Sequence, residues 1–123
     1  MSMTEQQTVQ IEKIKASCIA MGDNKHLTRE RSFTEFKNLL KAFTTEHSDD
    51  VTDQAICQLE SLLTQNFSAE GWEARHGAVI ASGYLFEAYD RPEFRDNFLK
   101  NVALTVLLDE EFRVRIAVGT TLH

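Results

Sequence analysis

Apolar residues recur along this chain at steps of three and four, the spacing that gives a helix one face against a core. Ile11, Ile14, Cys18 and Met21 share such a face in a first helix over 4–21. Thr4 and Gln7 stand at capping-box spacing at its start, and Gly22-Asp23-Asn24 closes it as a turn. Phe33, Phe36, Leu40 and Phe43, widened by Leu39, predict a second helix over 28–46. The polar stretch from His47 to Asp50 ends it. Asp50 or Thr52 is the expected cap of a third helix, in which Ala55, Ile56, Leu59, Leu62 and Leu63 share a face and which ends near Asn66.

The segment 71–89 differs in kind. Ala78, Ala81, Leu85 and Ala88 form one stripe, while Val79, Ile80 and Phe86 place apolar groups elsewhere around the axis. A helix apolar on most sides is buried between neighbours, so this is the expected central helix. Pro92 suits the first turn of a fifth helix, where its missing N–H costs nothing. Phe94, Phe98, Val102 and Val106 then share a face, thickened by Leu99, Leu104, Leu107 and Leu108. Asp109-Glu110-Glu111 leads into a last helix holding Phe112, Ile116, Ala117 and Leu122, at the end where the helix dipole favours carboxylates. Six helices with short connections predict successive antiparallel neighbours.

Composition supports an all-α reading. Of 123 residues, five are Gly and one is Pro, too few for the many turns of a sandwich or barrel. The length suits one domain with a real core. A net charge of −6 repels phosphate backbones and anionic lipid, and the Lys and Arg residues form no polybasic run, which speaks against nucleic acid as partner. No apolar stretch reaches the ~18 residues of a membrane span. The polar start is not a secretory signal. Cys18 and Cys57 fall in helical apolar patterns and are expected as buried, reduced thiols. A cytoplasmic location follows, with a nuclear one open.

Three helices open alike: TRERSF around Arg31, WEARHGAVIASG around Arg75 and DEEFRVRIAVG around Arg115. The arginines are 44 and 40 residues apart, within the period of two-helix HEAT and armadillo repeats. At these residues the chain resembles the HEAT-repeat family over 24–123. The last segment is the nearest to the family pattern, with Asp109 in the turn, then Val114-Arg115 and Ala117. The first repeat has Asn24 where the pattern wants a turn Asp. The resemblance implies an α-α superhelix. Its parts would be a capping helix over 1–22, repeat 1 over 24–66, repeat 2 over 68–108 and the first helix of an incomplete repeat 3 over 109–123. It further implies a structural ladder through Arg31, Arg75, Asp109 and Arg115, a non-catalytic scaffold role, and protein partners. The end at Leu122 would then be covered by self-association or by further repeats.

The remaining chemistry is thin. None of His26, His47, His76 and His123 stands at metal-ligand spacing, and only His76 is expected to be enclosed. Asp49-Asp50-Asp53 and Asp109-Glu110-Glu111 read as helix caps, and Gly77 and Gly83 as sites of close helix crossing. No catalytic group, cofactor site or metal site is expected. The partner surface expected from the family habit lies on the second helices, at Gln54, Gln58, Ser61 and Gln65 and at Arg95, Asn97, Lys100 and Asn101. The competing readings are a small helical enzyme or ligand-binding domain with a pocket near His76 and Trp72, and a nucleic-acid-associated module.

Overall fold

Every element among the described residues is helical, and most boundaries trace to local chemistry. The computed structural model describes residues 3–122, without the side chains of Asn101, Ala103, Leu104, Thr120 and Leu122. The expectations placed on Leu122, Asn101 and Leu104, and on His123, therefore lie outside the described residues. Thr4 caps α1 (Glu5–Ala20): its hydroxyl accepts from the Gln7 backbone N–H, and the Gln7 side chain accepts from that of Thr4. This is the predicted capping box. α2 spans His26–Glu46. Ser48, rather than Asp50 or Thr52, caps α3 (Asp49–Asn66) by accepting from the Val51 N–H. Thr52 is instead turned into the core, 1% exposed. α4 spans Trp72–Ala88, and Pro92 opens α5 (Pro92–Asn97) in the first turn.

The fifth helix departs from the prediction. α5 passes into a π-helical segment, Phe98–Val102, before α6 (Ala103–Leu107) resumes. The reason is in the spacing. Phe94, Phe98, Val102 and Val106 recur every fourth residue, and in a helix of 3.6 residues per turn each such step drifts by about 40°. The wider π turn absorbs that drift. Phe94, Phe98 and Val106 are buried and Val102 half-buried. α7 (Phe112–Leu122) completes the chain.

The helices form two layers. α2, α4 and α7 lie side by side with α4 in the middle, while α1 packs on α2, α3 on α4 and α6 on α7. One core cluster joins Ile11, Ile14, Phe36, Leu40, Ile56, Leu59 and Leu63 to Ala78, Ala81 and Leu85 of α4. A second gathers Val79, Phe98, Val106, Val114 and Val118. Phe67, Ile80 and Phe86 pack against both clusters. α4 is thus apolar on most sides because it serves two cores. Burying each large apolar side chain contributes roughly 1.5–3 kcal/mol.

Two glycines let α1 approach α4. A Cβ at Gly77 would sit 2.7 Å from the Met21 carbonyl oxygen, and one at Gly22 would sit 2.7 Å from the Ala74 Cα. At the other side of α4, Gly83 faces Thr121, whose hydroxyl donates to the Val79 carbonyl at 3.0 Å. Several expected core residues face solvent instead. Leu99, Leu107 and Leu108 are 43, 42 and 85% exposed, and Phe112 and Ile116 are 54 and 63% exposed. α7 turns Val114, Ala117 and Val118 toward α4, which leaves Phe112 and Ile116 on the opposite side.

Candidate functional site

Three arginines repeat one local geometry. Each stands near the start of a helix of the α2–α4–α7 layer and donates to the backbone carbonyl six residues upstream. Arg29 reaches Asp23 at 2.9 Å, Arg75 reaches Ala69 at 3.0 Å, and Arg115 reaches Asp109. Arg75 donates also to the Glu70 carbonyl at 2.8 Å. The guanidinium thereby ties each turn to the helix that follows it.

At the start of α2 the arginine with this geometry is therefore Arg29 and not Arg31. Arg29 is 8% exposed, whereas Arg31 faces solvent. Two residues apart on a helix, the side chains point about 200° apart, so only one of them can lie against the turn.

Between α4 and the turn before α7 the geometry adds an ion pair. Arg75 grips the Asp109 carboxylate with two hydrogen bonds, Nε–Oδ2 at 2.6 Å and Nη2–Oδ1 at 3.0 Å. Their side chains are only 15 and 9% exposed. The guanidinium holds the Asp109 carboxyl below the usual carboxylate range, aided by the Glu111 backbone N–H. The resemblance implied a ladder through Arg31, Arg75, Asp109 and Arg115; Asp109 meets Arg75 through its carboxylate and Arg115 through its backbone carbonyl, while Arg31 lies outside this contact. The position equivalent to Asp109 before α4 is Ala69. Arg29, with no acid to meet there, stacks on Trp72 at 5.1 Å.

Trp72 takes a second guanidinium, that of Arg113 at 3.9 Å. It therefore lies between arginines of α2 and α7, as a packing anchor of the middle helix. His76 follows one turn on, 6.0 Å from the Trp72 ring and 5.9 Å from Phe33. Its Nδ1 is buried and has no hydrogen-bond partner among the described residues. Burial above all, then Arg29 and Arg113, lowers the pKa of His76 below its ordinary 6.5, while Glu30 and Glu111 oppose this more weakly. The folded protein resists a proton that the unfolded chain accepts. The stability contributed by neutral His76 is present above the unfolded pKa and is lost as pH falls through the depressed folded one. Urea midpoints should consequently fall between about pH 7 and pH 5, and His76→Gln should flatten that slope. An unchanged slope in the variant would assign the effect to another group.

A polar cluster that the sequence reading missed lies where α3 meets the α4–α5 turn. Tyr89 Oη donates to Asp53 Oδ1 at 2.8 Å, and Arg91 donates Nε to Glu60 Oε2 at 2.9 Å and lies 3.5 Å from Asp53. The Asp53 carboxylate, then burial, pushes the Tyr89 hydroxyl up to about 12. Burial raises Glu60 despite Arg91 beside it. Asp53, Tyr89, Asp90, Arg91, Pro92 and Glu93 line an open cavity of about 430 Å³ here. The signal was present in Tyr89-Asp90-Arg91-Pro92, a polar turn placed directly after the central helix. A smaller cavity of about 190 Å³ lies between α1 and α2, lined by Ile14, Leu39, Phe43 and polar neighbours. Neither of these two cavities is lined by Trp72 or His76.

The expected partner-facing residues fall around this corner. Gln54 and Gln58 are half-buried on α3, while Ser61 and Gln65 are exposed. Arg95 is drawn back to Asp90 at 2.6 Å. Asn97 and Lys100 are exposed, Lys100 within the π segment.

Two expectations on single residues are corrected. Cys57 is exposed, because α3 buries Ala55, Ile56 and Leu59 and turns Cys57 outward; Cys18 is buried, and burial pushes its thiol up to about 12. His47 is enclosed as well as His76, with its side chain 14% exposed. Its ring nitrogens meet Gln10 at 2.8 Å and Gln7 at 3.3 Å, which pins α1 to the end of α2. Among the described residues no three His, Cys, Asp or Glu side chains cluster to hold a metal ion. No helix there is long and apolar enough to cross a membrane. Compared with known proteins, the chain matches no family model, no curated protein and no solved structure.

Proposed function

We propose that this chain is a HEAT-type helical-repeat scaffold, non-catalytic, that binds protein partners inside the cell. What supports the reading is the recurrence of one geometry at Arg29, Arg75 and Arg115, at intervals of 46 and 40 residues, on helices stacked in a single layer. A stack of this kind supplies a rigid extended surface, and the Arg75–Asp109 pair is taken up in joining α4 to the turn before α7. Arg75 and Asp109 saturate each other, and Trp72 is occupied by two guanidinium groups.

The surface assigned to partners is formed by α3, α5 and the π segment after it, with Gln54, Gln58, Arg95, Asn97 and Lys100. Its test is a quantitative affinity purification from the native cell, comparing the wild type with Gln58→Glu and Lys100→Glu combined. Loss of a defined set of proteins from the variant is the expected result. Full retention of every partner removes this surface from consideration. A small-molecule thermal-shift screen separates the scaffold from a ligand-binding domain at Trp72 and His76: a stabilising metabolite would favour the latter.

A further inference from the structure

We propose that copies of this chain associate head to tail, α1 of one copy docking on the outer face of α7 of the next. The proposal deepens the scaffold reading but stands on different residues from the α3–α5 surface, so either can fail alone.

The outer face of α7 is Phe112, Ile116 and Gly119, at steps of four and three. Phe112 and Ile116 are 54 and 63% exposed, and a Cβ at Gly119 would meet nothing within 4 Å. Counted from Arg75 as these are counted from Arg115, the same positions on α4 are Trp72, His76 and Val79. On α4 that face is covered: Val79 is 0% exposed in the core shared with α7, and Trp72 lies under Arg113. α7 thus presents outward the face on which α4 receives a helix. The covered site also has an acid in it, Asp109 on Arg75. Arg115, the equivalent of Arg75, is exposed, and among the described residues it is paired with no carboxylate. An occupant must bring apolar side chains and a negative charge.

α1 carries both. Glu5, Val9, Glu12, Ala16 and Ile19 form a stripe directly opposite the buried Ile11, Ile14 and Cys18, and all five are exposed, Val9 by 50% and Ile19 by 60%. Glu12 is engaged only by Lys15, at 3.5 Å in an exposed pair of little energetic weight. α1 packs on α2 and also meets α4, whereas α7 packs on α4 and α6, so the two faces belong to different helices and are not the same surface. Their pairing is therefore heterologous, and the proposal is that it adds copies in a row without closing. A symmetric α7–α7 pairing would instead bring Arg115 toward its own copy, like charge against like.

The experiment is sedimentation velocity on the full chain at low salt, from micromolar to millimolar concentration. The mean mass is expected to rise with concentration beyond that of a dimer. Glu12→Arg and Arg115→Glu should each weaken association by about tenfold or more, and an equal mixture of the two variants should recover the growth in mass, because the two reversed charges then face each other while the native Glu12 of one variant faces the native Arg115 of the other. Glu12 lies on the solvent side of α1, so Glu12→Arg tests the contact even where Arg115→Glu disturbs the Asp109 turn. A monomer at every concentration overturns the proposal. So does association that survives Glu12→Arg, which would point to α7–α7 pairing.

Discussion

Replacing Arg75 with alanine should lower the free energy of unfolding by about 3–5 kcal/mol, the cost of stranding a largely buried carboxylate. Asp109 is 9% exposed and takes two hydrogen bonds from this one side chain. The same substitution frees the carbonyls of Ala69 and Glu70 at the start of α4. Arg75→Lys should recover only part of the loss, because an ammonium cannot make the two parallel bonds of the guanidinium fork. Urea melts of Arg75→Ala, Asp109→Ala and the double variant would measure the coupling. The double variant should cost little more than either single one, and strict additivity would show that the pair does not act as a unit. The pair also has a pH signature. Asp109 has a lowered folded pKa, so its contribution is present above the ordinary carboxyl value near 3.9 and is lost as pH falls through the folded value.

Phe98→Ala should cost a similar ~3–5 kcal/mol through the cavity it leaves, but with a different distribution along the chain. Phe98 is 0% exposed and meets Phe67 edge-on at 5.6 Å and Phe86 at 5.5 Å. It anchors the second core cluster, whereas α1, α2 and α3 are held by the first. Two core clusters that meet through a few shared residues can lose structure separately. Amide exchange should therefore quicken first in α5, α6 and α7 while Phe36, Leu40 and Leu59 keep their surroundings protected. An equal loss of protection in every helix would instead show that Phe67, Ile80 and Phe86 weld the two clusters into one cooperative unit.

The scaffold proposal and the head-to-tail contact use different sides of the stack. The α3–α5 side is polar and cross-linked by Arg91, with Asp53 and Glu60 as its acids. The α7 end is apolar at Phe112 and Ile116; Arg113 there is paired with Glu111, and Arg115 has no carboxylate partner among the described residues. A partner on the first surface and a second copy on the end could be bound at once, since Lys100 and Ile116 belong to different helices. Phosphate-rich or strongly acidic partners would find Arg95 already drawn to Asp90.

What the amino-acid order by itself determined was local: which segments are helical, the capping box at Thr4, the place of Pro92, and the central role of α4. Those features depend on interactions within a turn or two of the chain, where apolar spacing and capping groups act directly. The candidate ladder residues Arg75, Asp109 and Arg115 came from the family resemblance rather than from recurrence, since Ala69 stands where an acid like Asp109 would recur before α4. Tertiary structure alone decided that Arg29 rather than Arg31 faces the first turn, that Cys57 and Phe112 point outward, and that Tyr89, Asp53, Arg91 and Glu60 meet. Each of these turns on which side of a helix its neighbour occupies, and a rotation of one residue about the axis, about 100°, is enough to exchange buried for exposed.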